Sequence, residues 1–341
     1  MQRIILAILT ISFAFFAKKN LYSQDIHFSQ FFSAPLFLNP SNTGDFGGDY
    51  RAALNNKNQW NTFTNAYSSF GGSIDAGFDN IFIEQSRSGI GLQINNDIAG
   101  DGRFGTTQLY INLAYQLNVD KSQKFKIGLG LSGGYVMHGI NFNNLYFGNQ
   151  YDGERFDENL PSDEILVNQK MSYPDFGVGT KLKYTYNHKL NFELGFSAYH
   201  LFQPKRSFFE NSEMILPIKY STIAFAEYQL KEDLYIEAHA LHMHQQKHNE
   251  VDVGGIFRLD YNPLDLQSIY FGGLLRAKDA GIIVFGVKYH NFKICFNYDI
   301  NFSKLSTISR GKGGAEFSII YIFFKPRPFQ APEYKKCPDF I

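Results

Sequence analysis

Residues 107–117 read Thr-Gln-Leu-Tyr-Ile-Asn-Leu-Ala-Tyr-Gln-Leu. Thr, Leu, Ile or Tyr stands at every second position, and Gln, Tyr, Asn, Ala and Gln stand between them. Successive side chains of a β-strand point to opposite faces, so one face of this strand is apolar and the other is largely polar. Strands of soluble proteins usually run about 5–6 residues, whereas a tilted membrane-spanning strand needs about 9–11. The stretch therefore indicates a strand that crosses a membrane.

The same period-2 pattern recurs along the chain, for example in 176–186, 251–261, 292–300 and 315–323. We predict about 14 antiparallel strands, at 50–58, 66–78, 88–97, 104–118, 125–138, 173–187, 190–203, 217–230, 233–245, 249–261, 268–276, 280–289, 292–300 and 313–323. The connections alternate between long and short, as in bacterial outer-membrane barrels with both termini in the periplasm. The predicted fold class is therefore an all-β transmembrane outer-membrane β-barrel. A large soluble sandwich would also alternate, but it would have shorter strands.

The composition excludes several other classes of protein. Lys and Arg number 32 against 32 Asp and Glu, so the chain lacks the basic excess of a nucleic-acid-binding protein, and we predict no nucleic-acid partner. Aromatic residues make up 17%, which excludes a disordered chain. Two cysteines are too few for a disulfide scaffold.

The chain divides into four predicted segments. Residues 1–24 contain the apolar run Ile4–Ala17, which is too short for a transmembrane helix and is typical of a signal peptide. Residues 25–49 are predicted to lie in the periplasm or to plug the barrel. Residues 50–324 form the transmembrane β-barrel. Residues 325–341 are rich in proline, which cannot serve an internal strand ladder, and are predicted to be a periplasmic tail.

Three polar groups resemble chemical sites but fit structural roles better. They are His239, His242, His244 and His248; the oxygen-rich segment 95–102; and Ser197 with His200. The histidines lack a carboxylate or thiolate that would complete a tetrahedral metal set. The segment 95–102 lacks the spaced acidic residues of a calcium loop. Since no hydrolase or metalloprotease motif occurs either, we predict no metal, no cofactor and no enzymatic activity.

Charged residues fall on the strand faces that are predicted to point inward. They are Lys181, Lys183, Glu193, Glu237, Arg258, Asp260, Lys288, Lys293, Asp299 and Glu316. Their signs are mixed, which favours internal pairing over an ion-selective pore, whose lining usually carries one sign. We expect no disulfide between Cys295 and Cys337, because nothing in the Pro-rich tail indicates that it folds back onto the barrel wall.

The loop 139–172 is much longer than the other predicted connections. It carries Tyr146, Phe147, Tyr151 and Phe156 among Asn, Asp and Glu residues. Aromatic anchors in a polar frame are typical of binding surfaces. We therefore predict that these four residues bind a partner; the alternative is that the loop folds into the barrel mouth as a lid.

The order of short motifs resembles the PorP/SprF family of Bacteroidetes outer-membrane proteins. The motifs are Asp25-Ile-His-Phe-Ser-Gln-Phe-Phe, Leu36-Phe-Leu-Asn-Pro40, Gly44, Gln59-Trp60, Asp97-Ile-Ala-Gly100, Ala114-Tyr115, Gly128-Leu-Gly-Leu, Pro174-Asp-Phe-Gly177, Tyr199-His-Leu201, Gly313-Gly-Ala-Glu316 and Cys337-Pro338. Each motif is weak alone, and the resemblance rests on the ordered set. Lys57 stands where the family usually has Arg, and Ala315 stands where it usually has His.

The resemblance implies a role in the type IX secretion system. Members of the family are implicated in bringing secreted proteins to the cell surface or in holding them there, gliding adhesins among them, and are not known as enzymes. The implied partners are the outer-membrane bilayer, a secreted protein with a type IX C-terminal sorting domain, and periplasmic components of the system. The residues themselves show only a barrel, so a porin-like passive solute channel remains the alternative function.

Overall fold

The computed structural model describes residues 25–59, 67–141, 145–157, 159–161, 170–207, 214–261, 265–303 and 306–326. The strands are β1 (Tyr50–Gln59), β2 (Tyr67–Asp79), β3 (Ser86–Ala99), β4 (Phe104–Asn118), β5 (Phe125–Gly139), β6 (Lys170–Asn187), β7 (Leu190–Tyr199), β8 (Lys219–Gln229), β9 (Leu234–Gln245), β10 (His248–Asp260), β11 (Leu266–Arg276), β12 (Ala280–Tyr289), β13 (Phe292–Asn301) and β14 (Lys312–Phe323). They form one closed antiparallel barrel, in which β14 pairs with β1. The predicted fold class is confirmed.

The strands lie within a few residues of their predicted positions. β4 and β12 have the predicted bounds, 104–118 and 280–289. The largest difference is in β7, which was predicted to reach residue 203 but ends at Tyr199. His200 adopts φ 61° there, in the left-handed region, and this conformation turns the chain out of the strand.

The barrel wall has its apolar side chains outside and its polar side chains inside. In β4, Leu109, Ile111 and Leu113 are 43–55% exposed, whereas Gln108 and Asn112 are only 3% and 0% exposed. A soluble protein would bury the first set and expose the second. The outer face therefore fits a hydrocarbon environment, where lipid takes the place of a protein core.

The connections differ in length at the two ends of the barrel. One end, called the short-turn end here, has hairpin turns such as 188–189 and 290–291, and β1 starts and β14 finishes there. The other end, called the long-loop end, has the long connections 140–169, 200–218 and 302–311. These connections contain a 3-10 turn at Gly148–Gln150 and the short helix Ser306–Ser309. Among the described residues, no helix is long and apolar enough to cross a membrane.

Residues 25–49 lie inside the barrel and are called the plug below. They form a 3-10 turn at Phe31–Ser33, the one-turn helix Pro35–Leu38 and a second 3-10 turn at Pro40–Asn42. The plug starts at the long-loop end, where Asp25 contacts the first residue of β8, and it reaches the short-turn end, where it joins β1. It therefore runs through the whole lumen.

Candidate functional site

One side of the lumen is an apolar core shared by plug and wall. Phe28, Phe31 and Phe37 of the plug pack against apolar side chains that point inward from β9–β12. Those wall residues are Leu241, Met243, Ile256, Tyr270, Leu274, Ile282 and Val284. Burying one large apolar side chain contributes about 1.5–3 kcal/mol, so the plug is held by several such contributions. Water would face an apolar wall if the plug left.

The other side of the lumen binds the plug through hydrogen bonds. The backbone N–H groups of Ser29 and Gln30 donate to the two carboxylate oxygens of Glu316 on β14, at 2.7 and 3.1 Å. The Gln30 side chain donates to the Asn297 amide oxygen at 2.9 Å and accepts from the Ser318 hydroxyl at 2.6 Å. A buried carboxylate that accepts two backbone N–H groups makes charge-assisted hydrogen bonds, the stronger kind.

Arg276 at the end of β11 joins several wall carboxylates to the plug. Its Nη1 lies 3.1 Å from Asp299, and its Nε lies 3.4 Å from Asp252 and 3.7 Å from Glu250. Its Nη2 donates to the Ser29 hydroxyl at 2.7 Å. These side chains are at most 7% exposed. Arg276 is thus the counter-charge of a buried acidic group of residues, and its five fixed donors suit that role.

The middle of the plug fits closely against β5–β7. Asn39 donates to the carbonyl oxygens of Thr180 and Phe196, at 3.0 and 3.2 Å. A Cβ on Gly130 would overlap the backbone of Ser41, and a Cβ on Gly179 would overlap the Asn39 side chain. Wall glycines are therefore needed where the plug backbone approaches the sheet.

Ion pairs hold the plug at both ends. At the short-turn end, Asp45 pairs with Lys181 and lies 3.3 Å from Lys126. Burial alone would raise the pKa of Asp45, but these ammonium groups and Lys183 hold it well below its usual range. At the long-loop end, burial would likewise raise the pKa of Asp25, but Lys219 and His200 lower it. Both carboxylates are therefore ionised at neutral pH.

Six of the ten inward charges that the sequence predicted form ion pairs, namely Lys181, Glu193, Glu237, Arg258, Asp260 and Asp299. Arg258 lies 2.5 Å from Glu227, 3.0 Å from Glu237 and 3.2 Å from Asp260. Lys181 pairs with Asp45 and lies 3.8 Å from Glu193. This arrangement agrees with the prediction of internal pairing. Cavities of about 210, 360 and 730 Å³ remain beside the plug.

The polar groups weighed as chemical sites have structural contacts. His242 and His244 point outward on β9, whereas His239 points inward and lies 3.4 Å from Glu237. Within the described part of the chain, no group of three or more metal-ligating side chains could hold a metal ion. Ser197 donates to the carbonyl oxygen of Leu38 at 2.6 Å, so its hydroxyl holds the plug.

The polar side chains at the start of the segment 95–102 make hydrogen bonds within the barrel wall. Asn95 donates to Gln108, Asn96 donates to Thr107, and Asp97 accepts from Ser69. Gly100 adopts φ 66° in the hairpin turn that follows β3, a conformation that glycine tolerates best. Cys295 is buried and forms no disulfide within the described residues. Cys337 lies outside them.

The four loop aromatics lie on one small folded unit, residues 145–157. Tyr146 and Phe156 pack edge to face with their ring centroids 4.7 Å apart, and Tyr151 bridges to Phe156 through the backbone. Tyr146, Tyr151 and Phe156 are 74%, 55% and 41% exposed, and Phe147 is half-buried. The unit thus presents aromatic surface outward at the long-loop end.

The sequence did not reveal how the plug docks. Most of the motifs that carry the family resemblance have a member at the plug–wall interface. These members are Ser29, Gln30, Asn39, Pro40, Gly44, Gly130, Tyr199, His200 and Glu316. These residues are scattered along the chain without a local period, so the sequence revealed only the order of the motifs. What these motif members have in common is the interface between plug and wall.

A closed barrel with an apolar outer wall and a largely polar inner wall is the architecture of an outer-membrane β-barrel protein. A family model described as type IX secretion system membrane protein PorP/SprF matches residues 20–321. The chain belongs to this family and is therefore an outer-membrane protein of type IX secretion.

Similar solved structures share very little sequence identity with this chain. A deltaS2 mutant of the monoaromatic hydrocarbon channel TodX has a TM-score of 0.50 and 9% identity, over 84% of this chain and 93% of that one. A Pseudomonas aeruginosa FadL homologue has a TM-score of 0.47 and 10% identity, over 85% and 94%. No curated protein matches the chain.

Proposed function

We propose that this barrel docks a specific secreted protein at the cell surface and does not conduct solutes. The observation that carries the proposal is the plug, which runs through the lumen and is bound to the wall along its length. An 8-stranded barrel is filled by its own side chains and 16–18 strands leave an aqueous channel, so a 14-stranded lumen needs such a segment to be filled. The porin-like alternative would require the plug to leave.

The proposed docking surface is the aromatic unit at the long-loop end. Exposed aromatic clusters favour association, and nothing in the described part of the chain covers Tyr146 or Tyr151. The proposed partner is a secreted protein with a type IX C-terminal sorting domain, such as a gliding adhesin. Periplasmic type IX components are proposed as further partners at the short-turn end.

Replacing Tyr146, Phe147, Tyr151 and Phe156 together with Ser should release the surface partner. Strand pairing does not depend on these residues, so the variant should remain heat-modifiable and in the outer membrane. The secreted protein that co-purifies with the natural barrel should fall to background on cells and appear in the medium.

The matched control changes polar residues of the same unit, Glu154→Ala with Arg155→Ala. Their exposed side chains should not be required, so the partner should stay on the cell. Normal surface levels of the partner in the aromatic variant would overturn the proposed docking surface. Equal loss in the control would show that the fold of the loop matters and not its aromatic rings.

The proposed orientation places the long-loop end outside the cell. Single cysteines at Glu154 and Lys205, in a Cys295→Ser and Cys337→Ser background, should react with an impermeant thiol reagent on whole cells. A cysteine at Ser122, in a hairpin turn of the short-turn end, should react only after lysis. Labelling of the Ser122 variant on intact cells would show that the barrel has the opposite orientation.

A further inference from the structure

Asp25 contacts both ends of one long connection. Its carboxylate lies 2.7 Å from the ammonium of Lys219, the first residue of β8, and 3.3 Å from Nε2 of His200, the first residue after β7. The connection between those two residues is 200–218. A single carboxylate of the plug therefore ties together the two points where this connection leaves the wall.

A second set of contacts holds His200 in place. Its Nδ1 lies 2.8 Å from Asp175 on β6, and the hydroxyl of Tyr110 donates to the same carboxylate at 2.5 Å. His200 is 1% exposed and has the left-handed backbone noted above. A non-glycine residue in that conformation is strained and persists only where its surroundings fix it. The two carboxylates are those surroundings.

The described parts of the connection, 200–207 and 214–218, form a paired unit called the surface stem here. The N–H of Arg206 donates to the carbonyl of Met214 at 2.8 Å, and the N–H of Leu216 donates to the carbonyl of Pro204 at 3.0 Å. Leu216 is 6% exposed and packs with Tyr110 and other inward residues of the wall. Its neighbour Ile215 is 54% exposed and faces the surroundings.

We infer that Asp25 is a positioning residue, through which the plug holds the surface stem in the orientation that a docked partner meets. The set Asp25, Asp175, His200 and Lys219 brings two carboxylates together with an ammonium and an imidazole, and it is at most 14% exposed. Removing the Asp25 charge leaves Lys219 and His200 without the group that joins them. That a docked partner meets the surface stem rests on the proposed docking function, whereas the coupling of Asp25 to the stem does not.

Trypsin cleavage after Lys205 or Arg206 in the purified full-length protein tests the coupling. Lys205 is exposed, but cleavage requires the paired stem to open. Asp25→Asn should speed cleavage at these two positions by about tenfold, because proteolysis follows the population of the open form. Lys219→Met should also speed cleavage, and the effect of the double variant should be smaller than the product of the two single effects, because both substitutions remove the Asp25–Lys219 ion pair.

Asp45→Asn is the matched control, since it removes a buried carboxylate at the other end of the plug. It should leave the stem cleavage rate unchanged, and Lys219→Arg should preserve most of the protection. An Asp25→Asn stem as resistant as the natural one, in a heat-modifiable barrel, would overturn the coupling. If Asp25→Asn does not fold, Lys219→Met takes its place: a Lys219→Met stem that resists trypsin as well as the natural one would overturn the coupling.

Cells carrying Asp25→Asn test separately whether the position of the surface stem matters for docking. Surface levels of the co-purifying secreted protein should fall in these cells and stay normal with Asp45→Asn. A faster-cleaved stem with normal partner levels would leave the coupling standing and refute a positioning role in docking. That result would also leave the aromatic unit untouched as the proposed docking surface.

Discussion

Removing residues 25–44, with residues 1–24 fused ahead of Asp45, should turn a closed barrel into an open channel. The full-length protein should give no large steady current in planar bilayers, because the plug is bound to both sides of the lumen. The shortened protein keeps all 14 strands, and its lumen should fill with water and conduct steadily.

A large steady current from the full-length protein would favour the passive solute channel over docking. This outcome does not depend on whether the shortened protein folds. Heat-modifiable migration identifies folded molecules of the shortened form, whose apolar wall at Leu241, Ile256 and Leu274 would then face water. That exposure should make the shortened barrel less stable than the full-length one.

The strands could be predicted from the sequence because the period-2 pattern is local. β4 shows why: its outward Leu and Ile side chains and its inward Gln and Asn side chains alternate within one continuous stretch. Lipid on one side and a filled lumen on the other impose the alternation on each strand separately. The strand end that differs most from the prediction, at Tyr199 of β7, depends on the special backbone conformation of His200, which the period-2 pattern does not show.

The plug interface could not be predicted because its pairs are far apart in the chain. Ser29 and Glu316 are separated by 287 residues, and Asn39 and Thr180 by 141. No periodicity connects such residues. As residue types, Phe28 and Phe31 do not show which surface covers them. The sequence therefore left 25–49 as either periplasmic or plug, and the pairing of barrel strands decided which wall residues the segment meets.

Arg276→Met should destabilise the barrel by about 3–5 kcal/mol, the usual cost of removing one partner of a buried ion pair. The change leaves the buried carboxylates of Glu250, Asp252 and Asp299 without the guanidinium that pairs with all three, and it removes a donor to Ser29 of the plug. The folded form should convert to the unfolded form at a lower temperature on a heat-modifiability gel and at a lower urea concentration in lipid.

Charge balance, and not the size of the arginine side chain, should account for this loss. Arg276→Met combined with Asp252→Asn and Asp299→Asn should therefore recover part of the stability, because two unpaired charges are removed with the arginine. Arg155→Met is the matched control, since its side chain is 83% exposed and lies 3.9 Å from Asp152, and it should unfold like the natural protein. If the triple variant is no more stable than Arg276→Met, Arg276 acts through packing. The plug would then not be fixed to β11 and β13 by the buried ion cluster.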